Sequence, residues 1–189
     1  MEQVVRHLSD TPSIITDACR ADLQHALDQA LPADAEQPRL IVLWSGHGSL
    51  VAGELRLIAA DTENPNRNST YAPSALAELA ADSGADQILL ILDTCYSGAG
   101  VLPVLSAATV ISDEAGRQIW IGALASSTSY ERAQEGTLLR RLKELLEKGP
   151  ESAELTTVWS PHNRYLRGDE LMYTLAVEWP NDSDQQLNQ

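Results

Sequence analysis

The chain has 189 residues, enough for one domain with a sizeable apolar core, and its 27 acidic against 13 basic residues give a formal net charge of -14. That charge argues against a nucleic-acid surface and favours encounter with cationic partners. Two cysteines in different settings, Cys19 and Cys95, make no disulfide framework, the longest apolar runs are too short to span a bilayer, and no basic-then-apolar leader opens the chain. A soluble protein of the reducing cytoplasm, engaging neither membrane nor nucleic acid, is expected.

In chain order, Gln3 to Leu8 reads as a short strand or a helical turn, with strand favoured, stopped by Ser9, Asp10 and Pro12. A helix is expected after an N-cap at Thr16 or Asp17, because Leu23, Ala26, Leu27 and Ala30 recur at helical spacing until Pro32; Cys19 falls inside it. Leu40 to Trp44 is a continuous apolar run between Pro38 and Gly46, the pattern of a strand covered on both faces of a parallel sheet. Glu54 to Ala59 reads as a strand or hairpin arm, Pro73 to Ala81 as a helix with Pro in its first turn, and Ile88 to Leu92 as a second fully apolar strand. Ile119 to Ala125 is a third such strand. Gly136 to Lys148 is a helix burying Leu138, Leu139, Leu142, Leu145 and Leu146, and Gly168 to Trp179 is another amphipathic helix. The stretch from Gly98 to Gln118 receives no element. Strands alternating with helices predict an α/β domain on a mainly parallel sheet, filling residues 1–180, with a polar tail over 181–189.

Two of the three strongest strands run into chemistry. The first leads to Ser45-Gly46-His47-Gly48 and the second to Asp93-Thr94-Cys95-Tyr96-Ser97-Gly98. In open parallel sheets function gathers beyond the carboxyl ends of strands, so neighbouring strands would place His47 and Cys95 in one crevice. A thiol beside an imidazole, with backbone N–H groups aimed at a developing oxyanion, is the arrangement of acyl transfer. The oxyanion donors are assigned to the N–H groups of Gly48 and Cys95. Taken singly, His47 is as readily a structural loop residue and Cys95 more readily an inert thiol; the pairing reverses those odds. His7, His25 and His162 have no metal-ligand spacing, so zinc is not expected.

Leu43-Trp44-Ser45-Gly46-His47-Gly48 and Leu92-Asp93-Thr94-Cys95-Tyr96-Ser97-Gly98 together resemble the catalytic segments of the caspase superfamily of cysteine peptidases, closer to metacaspases and bacterial orthocaspases than to animal caspases. The resemblance continues through Leu57 to Asp61, Ala125-Ser126-Ser127, Glu131 and Ala133 to Gly136, and covers most of residues 3–148. It implies a caspase-like three-layer sandwich with helices on both faces of the sheet, and an endopeptidase with Cys95 as nucleophile and His47 as base. It also implies that Asp93, two residues before Cys95, lines the primary pocket and selects Arg or Lys, because a desolvated carboxylate pairs strongly with a guanidinium or ammonium. No basic residue flanks the motif along the chain, which argues against Asp as the cleaved residue. The partners implied are protein or peptide substrates with basic residues.

No cofactor is required by this chemistry. Calcium, which many metacaspases need, is weighed only for the loop bearing Asp61, Glu63, Asn64 and Asn66, where no EF-hand pattern occurs. The chain departs from the family pattern in lacking the first strand-helix unit. A second reading is therefore carried beside the peptidase: an inactive caspase-like module that binds partners, such as a fuller homologue or other effector domains. Arg140, Arg141 and Lys143 are basic enough for self-cleavage, but their place on a helix favours a solvated face.

Overall fold

The computed structural model describes residues 13–31, 38–133 and 136–151. The expected elements at Gln3 to Leu8 and Gly168 to Trp179, and the polar tail, lie outside the described residues. Among them the chain forms a mixed α/β unit. Helix α1 is Arg20–Asp28, strands β1, β2 and β3 are Arg39–Ser45, His47–Val51 and Glu54–Ile58, and helix α2 is Pro73–Asp82. Strand β4 (Gln87–Asp93), helix α3 (Gly98–Ala115), strand β5 (Trp120–Ala125) and helix α4 (Thr137–Lys148) follow.

The apolar runs set the sheet. Strands β1, β4 and β5 are parallel in the order β1-β4-β5, with Arg39 opposite Gln87 through Ser45 opposite Asp93, and Gln87 opposite Trp120 through Leu92 opposite Ala125. Side chains alternate across a strand. Ile88 and Leu90 therefore share one face with Ile121 and Ala123, and pack against Ala77 and Ala80 of α2 and Val101, Val104 and Ile111 of α3. Leu89, Ile91 and Leu124 point the other way and are also buried, so β4, the inner strand among the described residues, and β5 beside it have buried side chains on both faces. Helix α4 buries Leu138, Leu142 and Leu145 at helical spacing; its outer side carries Arg141 paired with Glu144 at 3.0 Å and Lys143 paired with Glu147 at 3.8 Å.

Four sequence expectations are corrected. Strand β1 is not covered on both faces: among the described residues it is an edge strand, its side chains are half-buried at best, and Ile41 is exposed, because only β4 pairs with it. Helix α1 begins after Cys19, not at Thr16 or Asp17, because the Asp22 carboxylate accepts the Cys19 N–H at 2.8 Å and fixes the start there; Cys19 caps the helix instead of lying inside it. The unassigned stretch from Gly98 onward is the longest helix among the described residues. Gly98, Gly100 and Pro103 are poor helix formers, but they occupy its first turns, where Gly100 and Val101 are buried. Lastly, His47 does not end a strand. It opens the antiparallel hairpin β2-β3, which runs from His47 opposite Ile58 to Val51 opposite Glu54.

Asp61 lies 3.6 Å from the Arg20 guanidinium, and the Asn66 side-chain oxygen accepts the N–H groups of Asn68 at 2.8 Å and Ser69 at 3.2 Å. Two of the four side chains weighed for calcium thus have protein partners. No cluster of three or more His, Cys, Asp or Glu able to hold a metal occurs among the described residues, and no helix among them is long and apolar enough to cross a membrane.

Candidate active site

The register of β1 on β4 decides the geometry. Ser45 and Asp93 are opposite each other, so His47 and Cys95 each lie two residues beyond one paired position. The Gly46 N–H extends the pairing by donating to the Asp93 carbonyl at 3.3 Å. From there the two chains stay in contact. A Cβ added to Gly48 would meet Thr94 Oγ1 at 2.5 Å and the Cys95 carbonyl oxygen at 2.7 Å, distances that no ordinary side chain tolerates. Only glycine lets the His47 segment lie this close to the nucleophile turn.

The hairpin orients the backbone of this segment. Opposed residues in an antiparallel ladder alternate between hydrogen-bonded and non-bonded pairs, and each residue's N–H and C=O point to the same side. Leu57 uses both groups on Tyr71, donating at 2.8 Å and accepting at 3.1 Å. Its pairing with Gly48 is therefore a non-bonded one, and the Gly48 N–H points away from β3. His47, opposite Ile58, holds a bonded position that ties its backbone to β3. His47 is exposed.

On the other side, β4 delivers Asp93, 6 % exposed, and the turn Thr94 to Ser97 leads into α3. Cys95 is half-buried. Tyr96, directly after it, has φ +61°, a left-handed conformation that costs a non-glycine residue about 1 kcal/mol or more and persists only where neighbours enforce it. The enforcement is visible. Tyr96 N–H donates to the Glu131 carbonyl at 2.8 Å, and Gly98 N–H donates to the Ser127 carbonyl at 2.9 Å. Ser97 and Ser127, both fully buried, bond reciprocally: Ser97 N–H to Ser127 Oγ at 3.1 Å, Ser127 N–H to Ser97 Oγ at 3.0 Å. Ser127 Oγ also donates to the Thr94 carbonyl at 3.2 Å. The segment after β5 thus clamps the nucleophile turn from both ends.

Compared with protein-family models, with curated proteins and with solved structures, the chain shows no match. The reading of the site therefore rests on its own residues.

Of the residues singled out in the sequence, His47, Gly48, Asp93 and Cys95 come together at one end of the sheet. Ser97 and Ser127 both lie in segments that carry the resemblance, but the bonds between them were not legible, because those depend on strand order. Arg132 was missed as well. Although no basic residue flanks Cys95 along the chain, the loop after β5 carries Arg132 to the Tyr96 side chain, and Tyr96 first and Cys95 next raise its pKa above the usual guanidinium range. The clamp has a measurable consequence. Ser127→Ala removes the hydroxyl that accepts the Ser97 N–H and donates to the Thr94 carbonyl, leaving both without it, and is expected to cost about 1–3 kcal/mol, read by urea unfolding. A loss below about 0.5 kcal/mol would show that the clamp does not hold the turn.

Proposed function

We propose that the chain is a caspase-like cysteine endopeptidase that cleaves peptide bonds after Arg or Lys. The observation that carries this reading is the approach of Gly48 to Cys95, which draws the His47 and Cys95 segments together at the end of β1 and β4. Cys95 gives its thiol proton to His47 as its Sγ attacks the scissile carbonyl carbon. The oxyanion that forms is held by the Cys95 N–H and by the Gly48 N–H, which is directed away from the hairpin ladder. His47 gives its proton to the leaving amine as the carbon–nitrogen bond breaks, then takes a proton from the water that releases the acyl group.

Asp93 supplies the preference. Its carboxylate is largely removed from solvent at the end of β4, on the same side of the sheet as Ser45. A guanidinium or ammonium reaching it gains a charge-assisted hydrogen bond that a neutral or acidic side chain cannot make. The net charge of -14 adds long-range attraction for such substrates.

Fluorogenic peptides with Arg, Lys, Asp or Leu at the cleaved position test the reading. Hydrolysis of the Arg and Lys peptides is expected, and Asp93→Asn should lower kcat/KM on both by about ten- to thirtyfold. Preferential hydrolysis of the Asp peptide, or hydrolysis of none, would overturn it.

A further inference from the structure

The fold brings a cation, Arg132, beside the turn that carries Cys95. It lies in the loop that clamps the nucleophile turn, one residue after the Glu131 whose carbonyl accepts the Tyr96 N–H at 2.8 Å. Its guanidinium reaches the Tyr96 side chain and is exposed. Arg20, Arg56, Arg67, Arg117 and Arg141 each pair with a carboxylate. Arg132, like Arg39, Arg140 and Lys148, has no carboxylate partner among the described residues; what sets it apart is its place beside the turn that carries Cys95. A cation with no acid partner among the described residues, held beside the Cys95 turn by a tyrosine, is arranged to meet an anion that arrives from outside.

We propose that Arg132 is a specificity residue of this site, pairing with an acidic side chain of the peptide close to the bond that is cut. The proposal rests on the peptidase reading and adds a second requirement to it. Asp93 takes the basic side chain at the cleaved position, and Arg132 takes a carboxylate nearby. The two charges are of opposite sign and lie on different segments, Asp93 at the end of β4 and Arg132 after β5. The favoured substrate therefore carries a basic and an acidic residue close together. Guanidinium and carboxylate match in a two-point hydrogen-bonded geometry that lysine does not reproduce.

The test uses the full chain and peptides with Arg at the cleaved position, each with Glu, Gln or Lys at one of the two positions on either side of the scissile bond. The wild type is expected to prefer Glu over Gln about three- to tenfold in kcat/KM at one of these positions, with the preference shrinking as salt rises. Arg132→Gln should bring that ratio to about one, Arg132→Lys should keep part of it, and Arg132→Glu should favour the Lys peptide instead. A Glu-to-Gln ratio that stays at the wild-type value in Arg132→Gln, even if all rates fall together, overturns the proposal and leaves the peptidase reading standing. Hydrolysis of no peptide removes both.

Discussion

Cys95→Ala is expected to abolish hydrolysis of basic peptides and labelling by an arginyl chloromethyl ketone, with a loss in kcat/KM of about a thousandfold or more. His47→Ala is expected to lose activity on the same scale. The reason is that thiol and imidazole act on one proton path: without the imidazole the leaving amine is not protonated, and without the thiol nothing attacks the carbonyl. Their effects should therefore not add. The double variant should be no slower than the slower single variant, which would not hold if the two residues contributed independently.

The second thiol does not confuse this measurement. Burial, then the carboxylates of Asp61 and Asp22, raise the Cys19 pKa above its ordinary value, so less thiolate is present there near neutral pH and alkylation is slow. Labelling that survives in Cys95→Ala at the wild-type rate would sink the assignment of Cys95. Loss of labelling in His47→Ala together with an unchanged thermal midpoint would place the effect in the chemistry and not in the fold.

Gly48→Ala is expected to lower kcat/KM by about one hundred- to a thousandfold and stability by about 1–3 kcal/mol. The added methyl would lie at 2.5 Å from Thr94 Oγ1, 2.7 Å from the Cys95 carbonyl oxygen and 3.1 Å from Leu55 Cδ1. Thr94 is 1 % exposed and its hydroxyl has no hydrogen-bond partner among the described residues, while Leu55 is buried, so neither has free space to yield. The His47 segment must move outward, carrying both the imidazole and the Gly48 N–H away from Cys95. Thr94→Ala added to Gly48→Ala removes the nearer obstacle but not the carbonyl, and should restore stability in part. Activity within about twofold of wild type in Gly48→Ala would remove Gly48 from the oxyanion site.

The clamp explains why such small changes should propagate. Tyr96 is held in its left-handed conformation by the Glu131 carbonyl, and Ser97 and Gly98 by Ser127. Gly98 is as tightly enclosed as Gly48, since a Cβ there would meet the Ser127 carbonyl oxygen at 2.7 Å and the Ser129 nitrogen at 2.9 Å. The nucleophile is thus mounted between the end of a buried strand and the first turn of an 18-residue helix, with little freedom to drift.

Much of this was legible in the residues alone. The apolar runs at Leu40, Ile88 and Ile119 named three strands of the parallel sheet, and the leucine spacing from Leu138 named α4, because burial on one face or on both imposes a period that local sequence records. His47, Gly48, Asp93 and Cys95 stood out as a group because glycines and chemically active side chains at strand ends have few other uses. Three things depended on the assembled fold. The edge position of β1 follows from which strands pair, and a run of Leu, Ile, Val, Leu and Trp reads the same in the middle of a sheet as at its rim. Helix α3 was hidden because Gly98, Gly100 and Pro103 carry poor helix propensity, which packing against α2 and β5 overrides. Ser127, Glu131 and Arg132 join the site only because β5 lies beside β4 and ends level with it, with Leu92 opposite Ala125. Sequence can record what each segment buries; which distant segments meet is decided by strand order and register, and in this protein that order brings a clamp and Arg132 to the turn that carries Cys95.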